Sequence, residues 1–121
     1  MVVLGFQEIS ESSAKNFIGG SGNAQESIKK WNDNVLKTLK EKSGGVDYVQ
    51  VANENLVGNA IVMFAKRSIH REITDIALSK VKIGFSGKAG SKGATCLRFL
   101  YEDTSFCFLN CHLDSGTTFL D

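Results

Sequence analysis

Toward its C-terminal end the sequence runs FCFLNCHLDSG, residues 106–116. Asn110 and His112 share the parity of Phe106 and Phe108, so all four project from one face of an extended segment. A histidine at a strand end can donate to a phosphoryl oxygen, and an asparagine beside it can orient a phosphate or a metal-bound water. A histidine hydrogen-bonded at a sheet edge is the plainer alternative. Upstream, GFSGKAGSKG spaces Gly84, Gly87, Gly90 and Gly93 every third residue around Lys88 and Lys92. Glycines let backbone amides face an anion closely, and the lysines add charge. An ordinary lysine-bearing turn has the same composition. The run fits neither the P-loop register nor GxGxxG, and a strand pattern follows it instead of a helix. Glu8 closes an apolar N-terminal segment. There a hard cation such as Mg2+ could take one carboxylate oxygen, or the charge could simply return to solvent. The cysteines and histidines lack zinc-ligand spacing, and His70, in a connecting segment, carries no assigned role.

These groups need a scaffold. VVLGFQ, residues 2–7, reads as a buried strand. Gly19 to Gly22 read as a loop. Asn23 then caps a helix, with Glu26 completing a capping box. Ile28, Trp31, Val35 and Leu39 form its apolar face, with Trp31 as the core anchor, and Gly44 or Gly45 is its natural stop. Residues 47–53 and 57–66 read as a hairpin turning at Asn53-Glu54-Asn55. Residues 73–83 alternate less cleanly. Residues 94–101 and 105–113 form a second hairpin about Glu102-Asp103-Thr104. Both faces of the last strand are apolar, which predicts cover on both sides. One helix and five or six strands make a layered α/β protein of α+β type, dominated by antiparallel pairing.

The 121 residues suffice for one domain. No apolar run reaches the roughly 18 residues of a transmembrane helix, and no signal peptide pattern opens the sequence. Net charge is +1, so nothing global points to nucleic acid or a membrane. Charge is nevertheless uneven. Residues 76–101 hold Lys80, Lys82, Lys88, Lys92 and Arg98 without an acid, and residues 102–121 hold four acids without a base. A cationic block around a glycine loop favours an anion site. Cys96, Cys107 and Cys111 read as reduced core thiols of a cytosolic protein.

Four segments in one order, GFQEI (5–9), LVGNAIVMFAKR (56–67), GKAGSKGATCLRF (87–99) and FCFLNCHLDSG (106–116), resemble the inositol polyphosphate 5-phosphatase catalytic domain. That domain is a branch of the endonuclease/exonuclease/phosphatase superfamily. Its patterns run FQE, LVG with an apolar strand, GNKG(A/G) with a nearby Arg-Phe, and F(V/L)NSHL. The resemblance implies a DNase I-like layered sandwich of mainly antiparallel sheets flanked by helices. It also implies Mg2+-dependent removal of the 5-phosphate from phosphoinositide lipids or soluble inositol phosphates by an activated water. Glu8 matches the Mg2+-binding glutamate and His112 the histidine on the scissile phosphate. Asn110 matches its neighbour in the motif. Lys92, with Gly90, Ser91 and Gly93, matches the phosphate-binding glycine loop. Ser91 stands where the family prefers asparagine, Cys111 where it often has serine, and Asp114 where a small apolar residue is usual.

The resemblance further implies that residues 1–121 are a partial domain. The family's first strand, and its GDxN, PxWCDR and SDH motifs, fall outside the sequence. Half a sandwich is then expected, its inner face lacking a partner sheet and exposing an apolar patch. The implied location is cytoplasmic, compatible with peripheral membrane contact at a lipid substrate, with no nucleic-acid partner. Two alternatives stand beside the phosphatase: a nuclease of the same superfamily, and a non-catalytic phosphoinositide-binding or decayed fragment.

Overall fold

A computed structural model describes residues 1–8, 22–56, 59–83 and 92–113, with backbone alone at 22–25 and 27. Among these residues the order is β1 (Val2–Phe6), α1 (Gly22–Lys42), β2 (Tyr48–Leu56), β3 (Asn59–Lys66), a 3-10 turn (His70–Glu72), β4 (Ile73–Lys82), β5 (Gly93–Tyr101) and β6 (Thr104–His112). Two three-stranded antiparallel sheets result, ordered β1-β3-β2 and β4-β5-β6.

β3 dictates the layering. Its residues from Asn59 to Ala65 are all buried, and a strand apolar on both faces must be covered on both. Ile61, Met63 and Ala65, with Ala52 of β2, pack against Ile73, Leu97 and Phe99 of the second sheet. Ala60, Val62 and Phe64 point the other way, toward α1. Full burial of Met63 and Phe64 stabilises the fold by about 1.5–3 kcal/mol each. The two sheets therefore pack on each other within this chain, where an unpartnered inner face was expected, but Leu78 and Phe108, on the same face as the buried Leu97, stay exposed. The six strands divide three and three, because β4 to β6 form a meander of their own.

Further exposed apolar surface lies on the outer face of the second sheet. Leu109 is 65% exposed and Val81 56%. β6 is thus covered on one face only. Phe106 and Phe108 stack on Phe99 at 5.3 and 6.0 Å between centroids, while Cys107 and Leu109 point outward. The expectation of core thiols fails with it. Cys107 is exposed, and its Sγ lies 3.5 Å from that of the half-buried Cys96.

α1 packs on the outer face of the first sheet. Ile28 is buried, and so is Asn32, whose Nδ2 donates to Gln50 Oε1 at 2.8 Å. The exposed side carries the i,i+4 pairs Glu26–Lys30 and Lys29–Asp33. The helix stops at Gly44 and Gly45, both at positive φ, with Gly45 N–H donating to Lys40 O. Trp31 is not the core anchor. It is 48% exposed and leans on Phe6 at 5.6 Å, beside an apolar groove of about 300 Å³ between the helix and edge strand β1.

β2 runs through the expected turn to Leu56, placing Glu54 and Asn55 in the strand. There Lys80 Nζ, from the opposite sheet, donates to Glu54 Oε1 at 2.9 Å and Asn55 O at 3.2 Å. Burial alone would raise the Glu54 pKa. Hydrogen bonds from Lys80 and the Asn55 N–H, with the Lys80 charge, outweigh it and hold the carboxyl below its ordinary 4.5. A depressed folded-state pKa contributes stability above the unfolded value, and that contribution is lost as pH falls through the folded one. Glu54→Gln should therefore show a smaller drop in melting temperature between about pH 5 and pH 3 than the parent. Equal slopes in a pH series of thermal melts would contradict the pair's role.

Candidate active site

The apolar strands bring three polar groups to one rim of the sandwich. β1 ends at Phe6, and Glu8 follows with φ of 55°. A left-handed glutamate costs about 1–2 kcal/mol, so surrounding contacts must hold it there. Gln7 supplies one, its Nε2 donating to Cys111 O on β6. Lys92 immediately precedes β5, and His112 ends β6 opposite Gly93. Lys92 Nζ lies 2.8 Å from His112 Nε2, and Glu8 Oε1 lies 3.6 Å from the same nitrogen.

An ammonium only donates, so the Lys92 contact engages Nε2 as acceptor and leaves the ring's other nitrogen, Nδ1, outside it. That atom is buried without a partner among the described residues. His112 itself is 8% exposed, whereas the Glu8 side chain is 78% exposed. The rim thus presents a cation, an imidazole and an open carboxylate within one small patch. Such a set can meet a phosphate and a hard metal ion together.

Asn110 is placed differently from the reading of its motif. Its Nδ2 donates inward, to Phe6 O at 2.9 Å, Ala60 O at 3.0 Å and Asn59 Oδ1. Asn59, fully buried, extends Nδ2 toward Gly93 O and Asn110 O, each at 3.4 Å. Sequence reasoning missed Asn59. Its signal was present, since one asparagine opens an otherwise apolar strand, NAIVMFA, where a buried amide demands partners. Gly90 and Ser91 lie outside the described residues, as do Gly84, Gly87, Lys88 and Asp114.

Among the described residues, Glu8 is the carboxylate beside Lys92 and His112 at this rim. No cluster of three or more His, Cys, Asp or Glu suited to a metal occurs among the described residues. One open carboxylate oxygen fits Mg2+, which keeps several waters and takes further oxygens from a substrate phosphate. It does not fit a closed structural metal site.

The sequence model of endonuclease/exonuclease/phosphatase family 2 matches residues 1–120. The chain belongs to that family. Within it, this family-2 chain is 36% identical over 120 residues to inositol-1,4,5-trisphosphate 5-phosphatase 1 of Schizosaccharomyces pombe, covering 98% of this chain and 11% of that protein. It is 34% identical over 113 residues to human synaptojanin-2, covering 93% of this chain and 7% of that one. Among solved structures, it is similar to the inositol polyphosphate 5-phosphatase domain of SPsynaptojanin in complex with inositol (1,4)-bisphosphate and calcium ion. The TM-score is 0.75 at 35% identity, over 98% of this chain and 32% of that one. The family-2 chain therefore spans about a tenth of these curated relatives and about a third of the solved domain. No helix among its described residues is long and apolar enough to cross a membrane.

Proposed function

We propose that the protein carrying this chain is a Mg2+-dependent phosphomonoesterase that removes the 5-phosphate of a phosphoinositide or inositol polyphosphate. The observation that carries this reading is the meeting of Lys92, His112 and Glu8 at one rim. Hydrolysis of a phosphomonoester by water builds negative charge on the phosphoryl oxygens, and fixed donors stabilise it. Lys92 can turn its ammonium from His112 to a phosphoryl oxygen. His112 Nε2, once protonated, offers a second donor from a nearly buried position. Glu8 would hold Mg2+, which when bound neutralises phosphoryl charge. Asn110 acts from behind this rim, holding Phe6 and Ala60 in place.

Glu8→Gln keeps the shape and removes the charge. Loss of an outer-shell partner already costs about tenfold or more in metal affinity, so losing the ligand itself should raise half-saturating Mg2+ by at least that factor. A titration of phosphate release against Mg2+ reads it directly, and an unshifted curve would take Glu8 out of the metal site. The function itself is tested by phosphate release from a soluble inositol trisphosphate and from phosphoinositide vesicles, with Mg2+ and with chelator. The two arms separate soluble from lipid substrate. No release from either, by folded full-length protein, refutes the reading, and cleavage of abasic DNA instead would assign a nuclease.

A further inference from the structure

We infer that Asn59 is a positioning residue: with Asn110 it forms a buried carboxamide clasp that sets Glu8, Lys92 and His112 against one another. The inference rests on the function proposed above. Asn59 Oδ1 accepts from Asn110 Nδ2, which also donates to Phe6 O at 2.9 Å and Ala60 O at 3.0 Å. Asn59 Nδ2 reaches Gly93 O and Asn110 O. Two side chains thus join β1, β3, β5 and β6, that is, both sheets. Three of these strands are gripped within two residues of a rim group: β1 at Phe6 before Glu8, β5 at Gly93 after Lys92, and β6 at Asn110 before His112. The site leaves no slack. A Cβ on Gly5 would sit 2.9 Å from Asn110 Cγ, so the glycine of β1 is what admits the clasp. Asn59 is fully buried and touches no solvent, so it acts through the strands it holds and not on substrate.

Asn59→Leu keeps the number and branching of side-chain heavy atoms and removes every hydrogen bond that Asn59 makes, leaving Asn110 its bonds to Phe6 O and Ala60 O. Small misplacements at a reacting centre cost up to about a hundredfold, so kcat of the folded full-length protein should fall about tenfold or more, with KM within about threefold. The same substitution in a His112→Gln background should then cost less, because one of the three groups being positioned is gone. An equal factor in both backgrounds, or an unchanged kcat, overturns the inference, since mere loss of folded protein acts alike in both. Should Asn59→Leu not fold, Asn59→Ser is read by the same pair of comparisons. If the parent releases no phosphate, the proposed function fails, and the clasp is decided by carbethoxylation of His112 followed by mass spectrometry. Faster modification of His112 in the variant upholds the clasp, and an equal rate overturns it.

Discussion

His112→Gln should lower turnover by about two to three orders of magnitude, the usual consequence of removing one fixed donor from a developing oxyanion. The histidine is nearly buried and held at Nε2 by Lys92 at 2.8 Å. Its orientation is therefore set before substrate arrives, which is where such donors gain their effect. Glutamine has similar size and can still accept from Lys92, but it cannot become a cationic donor. If His112 acts on the transferring phosphoryl group, kcat and kcat/KM should fall together, with KM little changed. Melting temperature should hold, because Nδ1 has no partner among the described residues that the substitution could break. Steady-state kinetics with thermal melts test both halves. An unchanged kcat removes His112 from the chemistry, and a fall in kcat that tracks a fall in melting temperature makes its role structural.

Gly93→Ala is expected to destabilise the protein by about 3 kcal/mol or more, combining overpacking with backbone strain. A Cβ at this position would meet Val81 O at 2.2 Å, Leu56 Cδ2 at 2.4 Å and Lys82 Cα at 3.2 Å. Two of those atoms are backbone of the neighbouring strand, so no side-chain rotation relieves the clash. The residue also has φ of 153°. Gly44→Ala is the control. It adds a Cβ at φ of 71° with nothing within 4 Å, so only the conformational cost of about 1 kcal/mol applies. Chemical denaturation of the two variants should separate them clearly, and equal midpoints would show that β4 and β5 part without difficulty. Gly93 follows Lys92 directly, so whatever shift does accommodate the methyl group moves the lysine from His112.

The elements with strong local rules were legible in the sequence. α1 announced itself by helical spacing and a glycine stop, and the β5–β6 hairpin by two apolar runs about a short polar turn. Glu8, Lys92 and His112 were legible too, as polar groups next to apolar strands, and the fold brings all three together. What failed was set by tertiary context. Trp31 lies on the helical stripe but leans over edge strand β1, where no further strand of the described residues covers it. The first hairpin was misplaced because Asn53 and Asn55, on either side of Glu54, are turn formers by type. Here Lys80, from the other sheet, gives Glu54 a partner inside the strand. The uneven alternation of β4 proved to be a register shift between Thr74 and Ala77, with Asp75 at φ of 49°. Asn59 was visible as a polar residue in an apolar run, but its partners were not. A single polar residue in an apolar run has no periodicity, and its meaning exists only once four strands meet around it.

The clasp also has a history within the growing chain. Phe6 and Gln7 are tied to Asn110 and Cys111 across 104 positions. Closing so long a loop carries an entropic cost that local pairings such as β5 with β6 avoid. On the ribosome, the segment that bears Glu8 emerges about a hundred residues before the strand that bears His112 and waits for it. No intermediate length of nascent chain can hold the rim in working order. The arrangement appears only when the first and final described strands have found each other.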